Sequence, residues 1–240
     1  MRYHLTLKLR KIKMRITILT GAGMSAESGI KTFRDSNGLW EGHDVMEVAS
    51  PQGWNANQEL VLDFYNQRRK QLLEAQPNTA HIALAELERD FEVQIITQNV
   101  DDLHERAGSS KVLHLHGELF KVRSTGIPST ILDWKKELNT GDLCNDGYQL
   151  RPHIVWFGED VPEMDNAIRL IRETDILIII GTSMQVYPAA SLLQFAPSEA
   201  KIYFVDPKPS IVSSERIRVF AEKATSGIKK IIETIKSNEL

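Results

Sequence analysis

Two polar stretches hold the groups with which this chain could do chemistry. Thr97-Gln98-Asn99-Val100-Asp101-Asp102-Leu103-His104 masses amides, carboxylates and an imidazole directly after a run of apolar and β-branched residues. His114-Leu115-His116-Gly117 follows shortly after. Imidazole titrates near neutrality, so a histidine there can act as acid, base or metal ligand. In a strand, residues two apart face the same side. His114 and His116 can therefore be a metal pair, a catalytic base beside a structural neighbour, or two satisfied core histidines. No cluster with metal-ligand spacing lies near them, which weakens the metal reading. The 97–104 block also has two readings. Its side chains sit where ligands bind in open parallel sheets, outside the carboxyl end of a strand. Alternatively, Asp101 or Asp102 caps the helix containing Leu103 and Glu105.

A third stretch runs from Ile16 to Arg34. Ile16-Thr17-Ile18-Leu19 reads as a buried strand, and Thr20-Gly21-Ala22-Gly23 breaks it. Glycines between a strand and a helix start let backbone N–H groups approach an anion, and the helix N-terminus adds partial positive charge. This predicts a phosphate cradle. Gly21, Gly23 and Ala26 fit G-x-G-x-x-G/A, but nothing between Lys31 and Ser50 reads as the second strand with its terminal acid. On the glycines alone, a tight turn without a ligand fits too. In Phe64-Tyr65-Asn66-Gln67-Arg68-Arg69, Tyr65 and Arg68 share a helix face. An Arg fork can bind a carboxylate bidentately while a tyrosine hydroxyl adds a further bond. The plainer alternative is a half-buried Tyr65 and a solvated Arg68. Arg69 competes for the same role but lies about 100° further round the helix.

These groups need a scaffold. Strands are expected at Ile16–Leu19, Val93–Thr97, Val112–His116, Ile154–Phe157, Ile176–Ile180 and Ile202–Val205. The unbroken aliphatic run 176–180 is typical of strands covered on both faces. Helical patterns occupy 79–89, 163–173, 188–195 and 226–237. The alternation predicts an α/β fold: a Rossmann-like, doubly wound parallel sheet with a smaller inserted lobe. The larger lobe takes about 14–30, 79–118 and 152–240. The insertions 31–78 and 119–151 form the smaller one, whose core is expected from Ile127, Ile131, Leu132, Trp134, Leu143 and Tyr148. Residues 1–13 carry Arg2, Lys8, Arg10, Lys11 and Lys13 and no acid, and read as a disordered basic extension. They lack the apolar region of a signal peptide.

The chain has 240 residues, 42% of them hydrophobic, enough for one sizeable domain. A net charge of −3 gives no electrostatic case for nucleic acid. No apolar run approaches a membrane span of about 18 residues. One cysteine, Cys144, excludes an internal disulfide and fits a reducing, cytoplasmic compartment.

Over about residues 15–235 the motifs, in order, resemble the sirtuins, NAD-dependent protein lysine deacylases. The GAGMSAESGIKTFR loop, TQNVDDLH, HLHG, RPHIVWFGE and GTS carry the likeness. The resemblance implies that Gly21, Ala22, Gly23, Ser25, Phe33 and Arg34 bind NAD, with Phe33 covering the ribose face. It implies that Gln98 and Asn99 contact the nicotinamide ribose and that Asp101 holds the carboxamide. Gly181, Thr182, Ser183, Asp206 and Ala224 complete the dinucleotide site. Asp206 stands where the family usually has Asn, and a carboxylate there repels a 2′-phosphate, favouring NAD over NADP. His116 and Asn99 become the catalytic pair, and Val155, Phe157 and Gly158 the strand that receives an acyl-lysine peptide. Tyr65, Arg68 and a small Ala49 match the class that removes succinyl and malonyl groups as well as acetyl. The implied products are nicotinamide, O-acyl-ADP-ribose and free lysine, and the implied partners are acylated proteins. A protein ADP-ribosyltransferase and a non-catalytic NAD-binding module are the alternatives. Sirtuins commonly hold a structural zinc with four cysteines. Ser124 stands near the first ligand position and Cys144 is alone, so no zinc is expected.

Overall fold

The computed structural model describes residues 13–31, 39–40, 42–126 and 129–239. In chain order the elements begin with β1 (Arg15–Thr20), β2 (Leu39–Trp40), β3 (His43–Asp44), α1 (Val45–Val48), α2 (Pro51–Ala56) and α3 (Gln58–Glu74). Next come α4 (Thr79–Leu87), β4 (Glu92–Thr97), α5 (Leu103–Arg106), β5 (Val112–His114), β6 (Gly117–Ser124), β7 (Ile131–Asp133) and β8 (Leu150–Ile154). The chain closes with α6 (Met164–Arg172), β9 (Ile176–Ile180), β10 (Lys201–Val205), β11 (Ile217–Phe220) and α7 (Ala224–Glu239).

The larger sheet has six parallel strands in the order β11-β10-β9-β1-β4-β5. Ile16 and Ile18 of β1, with Ile176, Ile178 and Ile180 of β9, pack against Leu84 of α4 and Ile228, Ile231 and Ile235 of α7. Leu19, Leu177 and Ile179 face the other way, onto Ala167 and Ile171 of α6. Covering both faces is what makes every residue of β9 apolar. From β1 the chain runs one way through β4 and β5, and β9, β10 and β11 build the other side. The order therefore reverses between β1 and β9, the place where such sheets open a crevice at their carboxyl ends.

The two insertions share one core. Val48, Ala49, Trp54, Phe64 and Tyr65 pack with Leu119, Val122, Leu138, Leu150 and Trp156. The expected small-lobe core is corrected here. Ile131 and Leu132 are exposed because β7 is an outer strand with every residue open to solvent, and Leu143 and Tyr148, in the segment between β7 and β8, are exposed as well. Trp134 is partly buried against the core, and Ile127 lies outside the described residues. The expected strand 154–157 ends at Ile154, which belongs to the antiparallel sheet β7-β6-β8 rather than to the parallel one. The expected strand at 112–116 stops at His114. The pattern at 188–195 forms a 3₁₀ helix, Ala189–Phe195, and β11 was not anticipated. The basic extension, but for Lys13, lies outside the described residues. No helix among the described residues is long and apolar enough to cross a membrane.

Candidate active site

The loops after β1 and β9 interlock. Gly21 N–H donates to Ile180 O at 3.0 Å and Gly23 N–H to Gly181 O at 2.8 Å. A Cβ on Gly23 would stand 2.7 Å from Gly181 Cα, and one on Gly21 would stand 2.9 Å from Gly181 O. Gly181 has φ +64°, and its own Cβ would meet Met24 N at 2.3 Å. The glycines thus serve loop-on-loop packing first. The N–H groups of Gly21 and Gly23 are spent inside the fold. Neither turn leaves the other room for a Cβ, and this narrow backbone edge suits a dinucleotide lying across it.

Behind the cradle is a continuous polar network. Ser25 is 1% exposed and donates its hydroxyl to Asp101 Oδ2 at 2.9 Å. Asn99 Nδ2 donates to the same Ser25 Oγ at 3.1 Å. Leu103 N–H, the first of α5, donates to Asp101 Oδ1 at 3.2 Å, while the N-cap residue of that helix is Asp102. Burial holds the Asp101 carboxyl above its ordinary range, partly offset by the Ser25 and Leu103 donors. Asn99 N–H is fixed by Thr97 Oγ1 at 3.0 Å, and Thr97 in turn by the Thr20 hydroxyl at 2.9 Å. Gln98 Nε2 reaches Thr182 Oγ1 at 3.2 Å, tying the loop after β4 to the loop after β9.

The two histidines of the His-x-His are separated by their partners. His116 Nδ1 lies 3.0 Å from Gln98 O, and a carbonyl only accepts, so the ring proton is assigned to Nδ1 and Nε2 keeps its lone pair. Burial lowers the His116 pKa, and the Gln98 carbonyl offsets this only in part. His116 is a neutral imidazole with a free acceptor nitrogen, the state a general base requires. His114 has Nδ1 3.2 Å from Asn99 O and Nε2 2.7 Å from Glu105 Oε1. Burial pulls His114 down, but the Glu105 carboxylate outweighs it and the pKa is raised. With acceptors at both nitrogens, His114 is a paired cation that braces the loop. The two imidazoles are thus set apart by their partners, one with acceptors at both nitrogens and one with an acceptor at Nδ1. Among the described residues no group of three or more His, Cys, Asp and Glu could hold a metal.

Ser183 accepts the Ser210 hydroxyl at its carbonyl, 2.7 Å away. Asp206, at the end of β10, is 2% exposed and accepts Lys208 N–H at 2.8 Å. Ala224 starts α7 and is buried beside Met24 and Val205. Phe33 and Arg34 lie outside the described residues.

In the smaller lobe, Tyr65 is 0% exposed and Arg68 7%. The plainer reading of a half-buried tyrosine and solvated arginine does not hold. Arg68 Cζ lies 4.3 Å over the Trp40 ring, whose centroid is 6.4 Å from that of Tyr65. The Trp40 indole thus holds the two residues together. Ala49 is buried, and its carbonyl accepts Phe157 N–H at 2.9 Å. Val155 N–H donates likewise to His116 O at 2.9 Å, and Gly158 turns with φ +89°. Arg69 does other work. Its Nη1 bonds Asn66 Oδ1 at 2.6 Å, while Asn66 exchanges two hydrogen bonds with the Leu138 backbone. Burial lowers the Arg69 pKa to about 10.

The four-cysteine zinc site common among the sirtuins does not fit the residues present. Cys144 Sγ is 3.2 Å from Ser124 Oγ, and Ser124 Oγ also accepts Gly126 N–H at 3.0 Å. One thiol hydrogen-bonded to a hydroxyl does not make a tetrahedral donor set.

Several contributors escaped the sequence reading. Asn78 caps α4 and also donates to Met24 O at 2.9 Å and Ser28 Oγ at 3.1 Å, anchoring the cradle loop. Asn-x-x-His before an apolar run was a legible capping signal. Trp40, Glu105 and Trp156 carried none, because their partners are distant in sequence.

Comparison with known proteins gives a concordant result. The Sir2 family model matches residues 21–188. An NAD-dependent protein deacylase of Helicobacter pylori is 66% identical over 193 residues, covering 80% of this chain and 84% of that protein. One from Bacteroides thetaiotaomicron is 52% identical over 223 residues, covering 90% and 95%. The crystal structure of a Sir2 homolog–NAD complex superposes with a TM-score of 0.83 at 38% identity, covering 94% of this chain and 90% of that one.

Proposed function

The chain belongs to the Sir2 family and is an NAD-dependent protein deacylase, and on that premise we propose that it removes succinyl and malonyl groups from protein lysines in preference to acetyl. The observation carrying this reading is the buried Tyr65–Arg68 pair held against Trp40, with the small buried Ala49 in the same lobe. A guanidinium in a desolvated pocket is justified by a ligand carboxylate more readily than by an acetyl methyl.

The residues at the crevice fit NAD. Gly21, Gly23 and Gly181 leave a Cβ-free edge, Ser25, Gln98 and Asn99 offer polar groups, and Asp206 offers an acceptor for ribose hydroxyls. NAD, when bound, supplies a ribose carbon activated by its nicotinamide leaving group. Asp101, with its pKa raised, carries a proton more readily and can both donate to and accept from a carboxamide. Ser25 and Leu103 fix its two oxygens, so it needs no reorientation. Asn99 presents its amide from a backbone pinned by Thr97. His116 accepts a hydroxyl proton at Nε2, while its Nδ1–H bond to Gln98 O holds the tautomer. Val155 N–H on His116 O ties the backbone of the base to the segment that follows β8.

The test compares kcat/KM on matched succinyl- and acetyl-lysine peptides. Arg68→Met is expected to cost the succinyl substrate about 2–5 kcal/mol, roughly 30-fold or more, with a much smaller loss for acetyl. Equal losses on the two substrates would overturn the pocket assignment.

A further inference from the structure

We propose that Trp156 is a specificity-determining positioning residue, which makes the Tyr65 hydroxyl a dedicated hydrogen-bond donor to the acyl group. The proposal rests on the acidic-acyl reading above and deepens it. Trp156 Nε1 lies 3.0 Å from the Tyr65 hydroxyl oxygen, with Trp156 2% exposed and Tyr65 0%. An indole N–H only donates, whereas a phenol hydroxyl donates once and also accepts. Trp156 therefore occupies an acceptor position of Tyr65 and turns the hydroxyl hydrogen elsewhere. Among the described residues that hydrogen meets no acceptor. A buried hydroxyl donor left unused is costly, and a ligand oxygen is what would satisfy it.

The indole itself is held on every side. Its backbone N–H donates to Glu159 Oε2 at 2.8 Å. Arg151 Cζ stacks 3.2 Å from its ring centre and is clamped by the same Glu159 carboxylate at 2.6 and 3.1 Å. Trp54 packs against it with centroids 5.6 Å apart. The indole cannot rotate away without breaking this stack, so the direction of its N–H is fixed before substrate arrives. A carboxylate-bearing acyl chain then finds a donor already aimed, beside the Arg68 cation. An acyl chain with no acceptor at its far end leaves that donor unmet.

The test uses Trp156→Phe, Tyr65→Phe and the double variant, with succinyl- and acetyl-lysine peptides. The readout is the ratio of the two kcat/KM values, resolved into kcat and KM. Trp156→Phe is expected to lower the succinyl-to-acetyl ratio about tenfold, mainly through the succinyl KM. Adding it to Tyr65→Phe is expected to lower the ratio no further. If Tyr65→Phe itself leaves the ratio unchanged, the acidic-acyl reading fails. If Tyr65→Phe lowers it and Trp156→Phe does not, only the present inference fails. Equal losses on both substrates in Trp156→Phe would mean packing alone and would also overturn it. A second measurement needs no change at Trp156. The indole ¹⁵N–H resonance of Trp156 should move on Tyr65→Phe, and an unmoved resonance would contradict the bond.

Discussion

At the scale of the residue, protonation is decided by which oxygen a ring nitrogen faces. His114 and His116 are the same side chain two positions apart, yet one is a paired cation and the other a neutral base. Because burial lowers the His116 pKa, its neutral form persists to lower pH than in an unperturbed histidine. The acid limb of kcat/KM should accordingly lie below about pH 6.5, with activity lost as pH falls through it. Replacing His116 with Ala should lower kcat by about 10²–10⁴. A limb above the ordinary histidine value in the wild type would refute the assignment. None of this was legible in His-x-His. The distinction depends on the carbonyls of Gln98 and Asn99 and on Glu105, and sequence spacing reports none of them.

At the scale of the element, the strands buried on both faces were the most readable part of the chain. β9 is all aliphatic because helices cover it above and below. β11 was missed for the opposite reason: an outer strand reading Ile-Arg-Val-Phe is only half covered and has no such run. The smaller lobe was the least readable. Its core is drawn from two distant insertions, so apolar residues on β7 looked equivalent to those that are buried. Leu119, Val122, Leu138 and Leu150 hold that lobe, and Cys144 Sγ lies 3.2 Å from Ser124 Oγ. Dialysis against EDTA should therefore leave both Tm and deacylase activity unchanged. Metal analysis should find no stoichiometric zinc, and one equivalent surviving dialysis would overturn the reading.

At the scale of the whole molecule, buried neutral histidines set the acid limit of stability. His81 of α4 and His104 of α5 are fully buried, with ring centroids 4.9 Å apart. Burial pushes the His81 pKa down to about 4. A histidine depressed in the folded state is protonated first in the unfolded chain. Its stabilisation is complete above about pH 6.5 and is lost as pH falls towards 4, roughly 3 kcal/mol in all. Denaturant titrations between pH 7 and 5 should show this decline, and His81→Gln should flatten it, since Gln at that position preserves the capping of α4. The parallel order of the large sheet has a consequence during synthesis on the ribosome. β1 is made first, but one of its two neighbours, β9, ends at Ile180, and the turn that closes the cradle follows it. A nascent chain must carry β1 with one edge unpaired until that point, leaving the backbone N–H and C=O groups on that side unmet. Such long-range pairing folds slowly and is open to aggregation. The same interlock that shapes the crevice is thus completed only once β9 and the turn after it have been made, so NAD binding is a property of the late nascent chain.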